Sequence, residues 1–167
     1  MTKFLKRTAG GRGLQEEETG TTGGATDANK IPELDANGKL TSAMMPTGIG
    51  ADTATIVASE AISAGAPVNI YDNAGTVSIR NADKASGKPA DGFVIAAVAS
   101  GANGEVYFEG NNTGVTGLTA GVDYFLGDNG AYVSTATTTA GDILQYLGKA
   151  TAATSLNWEA DLPITLA

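Results

Sequence analysis

The chain has 167 residues, a formal net charge of −8, neither Cys nor His, and only 17% charged and 6% aromatic residues. That length predicts one domain with an appendage. The absence of thiols and imidazoles excludes Cys and His nucleophiles, Ser-His-Asp triads, thiolate or imidazole zinc sites, c-type haem attachment and disulfides.

The first segment, residues 1–30, is basic at its start and poor in apolar periodicity. Lys3, Lys6, Arg7 and Arg12 give residues 1–12 a charge of +4, whereas 13–167 hold the other 6 bases and all 18 acids, hence −12. An acidic body behind a basic arm argues against nucleic-acid binding by the body. Gly10-Gly11-Arg12-Gly13, Glu16-Glu17-Glu18 and Gly20-Thr21-Thr22-Gly23-Gly24 cannot bury enough surface to fold alone. The segment therefore reads as a flexible arm, either a solvated tail or one that orders on a partner. Residues 31–52 read as an extended connector with at most one small hairpin, because apolar anchors alternate with Pro32, Asn37-Gly38 and Pro46. No apolar run approaches the roughly 18 residues of a membrane span, and Met1-Thr2-Lys3-Phe4-Leu5-Lys6-Arg7 leads into no signal-peptide core, so neither is expected.

The body, residues 53–167, carries short alternating runs separated by turn residues. Strands are predicted at 55–59, 68–72, 76–81, 92–99, 105–109, 124–126, 131–135, 142–149, 155–159 and 164–166. Asp72-Asn73-Ala74-Gly75, Gly101-Ala102-Asn103-Gly104 and Asp128-Asn129-Gly130 stand between them as hairpin signals, since a type I′ turn needs positive φ at both central residues. The fold class is all-β: a small antiparallel β-barrel or sandwich with an extended N-terminal arm and connector. A helical turn within 52–64 is the alternative for that stretch.

An internal echo runs at an offset of 56 residues. Ile62-Ser63-Ala64-Gly65 recurs as Leu118-Thr119-Ala120-Gly121, Val68 and Ile70 as Tyr124 and Leu126, Asp72-Asn73 as Asp128-Asn129, and Val77-Ser78 as Val133-Ser134. Two copies are too few for a solenoid. They suit a compact body built from two similar hairpins about a pseudo-twofold axis; chance similarity in a Gly/Thr-rich chain is the plain alternative.

No catalytic constellation emerges. Glu105 and Glu109, four apart on one strand, would stand about 13 Å apart from strand rise, wider than either glycosidase carboxylate pair. Asp35-Ala36-Asn37-Gly38 and Asp128-Asn129-Gly130 begin like calcium loops but lack the continuation, and turn chemistry accounts for them. Gly10-Gly11-Arg12-Gly13 follows no strand and opens no helix, so phosphate binding has no support. Tyr107, Phe108, Tyr124, Phe125, Tyr132, Tyr146 and Trp158 compose either a sugar-stacking patch or the core and a subunit interface.

Lys30-Ile31-Pro32-Glu33-Leu34-Asp35-Ala36-Asn37-Gly38-Lys39-Leu40 followed by Met44-Met45-Pro46 resembles the linkers of tailed-bacteriophage head and tail appendage proteins. Ala58-Ser59-Glu60-Ala61-Ile62-Ser63-Ala64-Gly65, Asp91-Gly92-Phe93-Val94, Val106-Tyr107-Phe108-Glu109-Gly110 and Gly117-Leu118-Thr119-Ala120-Gly121 are similar to a small β domain of phage capsid decoration (cement) and head-fibre proteins. The resemblance covers about residues 24–167. It implies a non-enzymatic virion protein without cofactor or metal, made in the host bacterial cytoplasm and placed on the capsid exterior. The partner it implies is the phage major capsid protein, and the assembly a homotrimer, with no nucleic acid or membrane. The expected capsid-binding arm comprises Lys3, Phe4, Leu5, Lys6, Arg7, Arg12, Ile31, Leu34, Leu40 and Met45. The alternative is a head or tail fibre subunit recognising host-surface glycans; a carboxylate enzyme ranks third.

Overall fold

The computed structural model describes residues 3–7, 11, 13–20, 23, 25–28, 30–34, 36, 38–41, 44, 45 and 52–167. The chain is all-β and divides into two units, Met1–Gly50 and Ala51–Ala167.

In the first unit β1 (Lys3–Arg7) pairs antiparallel with β2 (Leu14–Glu18), Lys3 opposite Glu18 and Arg7 opposite Leu14. A 3-10 turn follows at Ala25–Asp27. The sequence reading gave residues 1–30 no strand. Its missing ingredient is cross-strand charge pairing, because a basic run and an acidic run become neighbours only once the chain reverses.

The described residues of the second unit form twelve strands. In chain order they are β3 (Thr53–Ala58), β4 (Pro67–Asn73), β5 (Thr76–Asn81), β6 (Gly92–Val94), β7 (Asn103–Tyr107), β8 (Gly110–Asn112), β9 (Asp123–Leu126), β10 (Tyr132–Val133), β11 (Ile143–Leu144), β12 (Tyr146–Ala152), β13 (Ser155–Trp158) and β14 (Ile164–Thr165). Strands β3-β5-β4-β6-β7 join in a closed ring, a second sheet runs β10-β9-β12-β13-β8, and β11 pairs with β14. One pairing departs from the expected antiparallel body: β3 and β5 run parallel, Val57 beside Ser78 and Ala58 beside Ile79.

The echo at 56 residues is the trace of a larger duplication. Val68 pairs with Gly92 and Tyr124 with Gly148; Pro67 pairs with Phe93 and Asp123 with Lys149. Both members of each pair shift by the same 56. The preceding turns match too, Ala66 N–H on Ser63 O and Val122 N–H on Thr119 O, each at 3.2 Å. Strand order is the same in both copies, β5-β4-β6-β7-β3 and β10-β9-β12-β13-β8. The repeated element is thus five strands, not a hairpin.

The side-chain contacts between the copies are not reciprocal. The fully buried Phe93 of the first copy lies 5.1 Å from Trp158 of the second. Their counterparts by register are Lys149, exposed and paired with Asp123, and Phe108, which packs on the core of the ring. The contact is one-sided.

The two cores differ accordingly. The ring encloses Ala58, Ile62, Ala66, Val68, Ile79, Val94, Val98 and Val106. Five strands leave a narrow interior: a Cβ on Gly104 would stand 2.9 Å from Val98 Cγ2 and 3.2 Å from Ile79 Cδ1. Three large aromatics lie in the other core, where Phe93, Tyr124 and Trp158 pack with Leu126, Leu147 and Leu156.

Turn chemistry explains most boundaries. Ala74 and Gly75 adopt φ of +52° and +89° between paired Asn73 and Thr76, and Asn129 and Gly130 adopt +49° and +76°. At 101–104 the expectation needs correcting. The turn closes earlier, with Ala102 N–H on Ala99 O, so Asn103 and Gly104 belong to β7 and Glu109 lies beyond its end. The run 142–149 is split at Gln145, and 92–99 ends as a strand at Val94.

Candidate functional site

The first unit is where the sequence placed the binding arm. Lys3, Phe4, Leu5, Lys6 and Arg7 form β1. Alternation puts Lys3, Leu5 and Arg7 on one face with Glu18, Glu16 and Leu14 opposite them; Phe4 and Lys6 take the other face with Glu17 and Gln15. Lys3 Nζ reaches Glu16 Oε2 at 2.9 Å and Lys6 Nζ reaches Glu17 Oε2 at 3.7 Å, while Arg7 Nη1 donates to Gly11 O at 3.4 Å. Lys3 and Lys6 are therefore paired locally with the Glu run. Exposed pairs of this kind contribute less than about 1 kcal/mol each.

The apolar members remain in solvent. Leu5 is 65% exposed, Phe4 is half-buried, and Ile31, Leu34, Leu40 and Met45 are exposed. Leu14, absent from the expected set, is 67% exposed and lies diagonally from Leu5 on the same hairpin face. The signal for it was the run Leu14-Gln15-Glu16-Glu17-Glu18, a sign-reversed partner for β1. Ile31 is drawn to the end of β2, its carbonyl accepting Gly20 N–H at 2.9 Å, while Glu33 N–H donates to Gly20 O at 2.8 Å. The Thr19 hydroxyl donates to the Glu33 carboxylate across the same junction. Asp27 accepts from Gly23 N–H at 2.9 Å and from Lys30 Nζ at 3.2 Å, fixing the short turn. Among the described residues no hydrogen bond or ion pair ties Leu34, Leu40 or Met45 to the hairpin, and Arg12 lies outside those residues.

Two grooves of the second unit carry polar side chains beside aromatic ones. One, of about 480 Å³, lies on the outer face of the β8–β10 sheet and is lined by Asn111, Tyr146, Lys149, Thr151, Asn157 and Glu159. Phe125 meets Tyr146 edge-on at 5.8 Å, and Asn157 Nδ2 donates to Glu159 Oε1 at 2.7 Å. The Asp123 carboxylate beside Lys149 raises the lysine's pKa, and burial is the main cause raising that of Tyr146. The other groove, of about 580 Å³, sets Asp91, Glu109, Glu159 and Asp161 around Phe108 and Trp158. Asp91 is committed to structure, accepting from Asn69 Nδ2 at 3.0 Å and Ile70 N–H at 2.7 Å.

Of the carboxylates weighed for catalysis, Glu105 accepts the Tyr107 hydroxyl at 2.9 Å, and burial ahead of this bond raises the tyrosine's pKa. Asp128 pairs with Lys84 at 2.9 Å. Among the described residues no group of three or more acids is placed to hold a metal ion, and no helix is long and apolar enough to cross a membrane. Comparison with family models, curated proteins and solved structures finds no match to this chain.

Proposed function

We propose that this protein is a structural, non-enzymatic virion protein that binds the outer surface of a tailed-phage capsid and stabilises it. In this reading residues 1–50 engage the major capsid protein, and the acidic β body stands outside as part of a homotrimer. One observation carries it. Of the exposed large apolar side chains among the described residues, Leu5, Leu14, Ile31, Leu34, Leu40 and Met45 all belong to the first unit, against Val77, Leu162 and Ile164 in the far longer second. A short segment that leaves its apolar residues in water beside a self-sufficient body is built to bury them elsewhere. The resemblance of 24–167 to phage decoration and head-fibre proteins supplies the partner.

The physical gain is mass action. A ligand that binds only the assembled lattice stabilises that lattice, and linked copies multiply a weak contact. Because Glu16 and Glu17 already neutralise much of the basic strand, apolar burial carries more of the affinity than charge does.

The polar groove of Tyr146, Asn111, Asn157 and Glu159 favours a second reading, a fibre subunit recognising host-surface glycans, since amides and a carboxylate beside an aromatic ring suit sugar hydroxyls. Co-sedimentation separates the two. Full-length protein should pellet with undecorated capsids, and protein lacking residues 1–50 should stay in the supernatant. Equal pelleting of both forms would reject the arm's role, and binding only to host polysaccharide would favour the second reading.

A further inference from the structure

We propose that the β1–β2 hairpins of neighbouring copies pair head to tail, the β1 edge of one chain on the β2 edge of the next. This would be the contact that holds the trimer proposed above; the copy number rests on that reading, the pairing does not. Among the described residues the hairpin sheet has two strands, so each keeps one edge outside the ladder. Such a ribbon is marginal alone in water, and an open edge is a template for another strand.

Charge selects the partner. Strand β1 carries Lys3, Lys6 and Arg7 and no acid, whereas β2 carries Glu16, Glu17 and Glu18 and no base. Pairing β1 with β1, or β2 with β2, would oppose three like charges to three. Head-to-tail pairing instead places every basic strand between two acidic ones. It is heterologous, and a heterologous contact that closes makes a ring. The β2 side already takes backbone partners just past its end, where Gly20 bonds Ile31 and Glu33. Leu5 and Leu14 share one face of the hairpin, so a ring keeping those faces together gathers the exposed leucines on one side.

The test is self-sorting. In a charge-reversed chain (Lys3→Glu, Lys6→Glu, Arg7→Glu, Glu16→Lys, Glu17→Lys, Glu18→Lys) each hairpin keeps its internal pairing and its match to identical copies. Against the unaltered chain, however, every new edge sets like charges together. Native mass spectrometry of the two chains, dissociated and reassembled together, should show mixed oligomers depleted at least tenfold. Statistical mixing would overturn the proposal, as would a monomer at tens of micromolar. The half-reversed chain (Lys3→Glu, Lys6→Glu, Arg7→Glu) should associate at least tenfold more weakly by sedimentation equilibrium while its body melts as before; unchanged association would overturn the proposal. Capsid co-sedimentation is a separate readout. Self-sorting chains that ignore capsids would reject the proposed function and leave this contact standing.

Discussion

Asn112 Nδ2 donates to the Tyr132 hydroxyl oxygen across 2.9 Å, bridging β8 and β10, strands whose counterparts β3 and β5 pair through their backbones. The same Asn112 amide donates to Gly65 O at 2.8 Å, Tyr132 donates to that carbonyl at 2.9 Å, and Asn112 Oδ1 accepts Gly114 N–H at 3.0 Å. The second copy thus joins by side chains what the first joins by backbone. Burial drives the Tyr132 hydroxyl well above its ordinary pKa, so it remains a neutral donor.

Asn112 is wholly buried, so its removal strands several groups away from water. Asn112→Ala should cost about 3 kcal/mol and Tyr132→Phe about 1 kcal/mol in urea unfolding. The double variant should show a coupling of at least about 0.5 kcal/mol. Strict additivity would mean that the two side chains act independently.

Gly148 and Gly92 are equivalent in the two copies and both face a carbonyl. A Cβ would stand 2.0 Å from Asn157 O at Gly148, where φ is +146°, and 2.7 Å from Tyr107 O at Gly92. Gly148→Ala should therefore cost at least about 2 kcal/mol. Gly75 has a positive φ of +89° but open space around it, so Gly75→Ala should cost about 1 kcal/mol. Equal losses in chemical denaturation would show that the backbone at Gly148 yields.

Lys84 ties Asp128, at 2.9 Å, to Asp142, at 3.2 Å, and Thr137 Oγ1 donates to Asp142 at 2.7 Å. The Thr137 bond, then Lys84, lowers the Asp142 pKa below 3.8; bonds to Asp128, then Asp142, raise that of Lys84 above 10.5. Asp142 therefore stabilises the fold above its ordinary pKa, and that contribution is lost as acid approaches its depressed folded value. Lys84 contributes fully below its ordinary pKa and loses the contribution as pH rises through its raised value. Thermal midpoints of Asp142→Asn should fall less steeply with acid than those of the unaltered chain. Parallel acid limbs would contradict this assignment.

Trp158, the sole tryptophan, is 5% exposed and tilts 45° against Phe93. Its emission should be blue-shifted in the folded protein and move red on unfolding. Phe93→Ala should cost about 3–5 kcal/mol and shift the native emission. An unshifted spectrum would place the ring elsewhere.

Removing residues 1–50 should leave the β body folded, because Ala51–Ala167 contains the closed ring, the second sheet and both cores. The truncated chain should keep a strand-dominated circular dichroism spectrum and melt within a few degrees of the full chain. A noncooperative melt would show that the body depends on the arm.

Local chemistry was legible wherever one stretch of chain decides its own conformation. Strand β5 at Thr76–Asn81 lies where alternation put it, and Ala74-Gly75 and Asn129-Gly130 turn because those residues accept positive φ at low cost. The recurrence of Ile62-Ser63-Ala64-Gly65 as Leu118-Thr119-Ala120-Gly121 announced a duplication. Partner choice was not legible. Alternation records which face of a strand is buried but not which strand lies beside it. The parallel β3–β5 closure, the one-sided packing of Phe93 on Trp158 and the neutralisation of Lys3 by Glu16 all join residues distant in sequence. Loop closure and packing of the whole chain select such contacts, so only the tertiary structure could decide them.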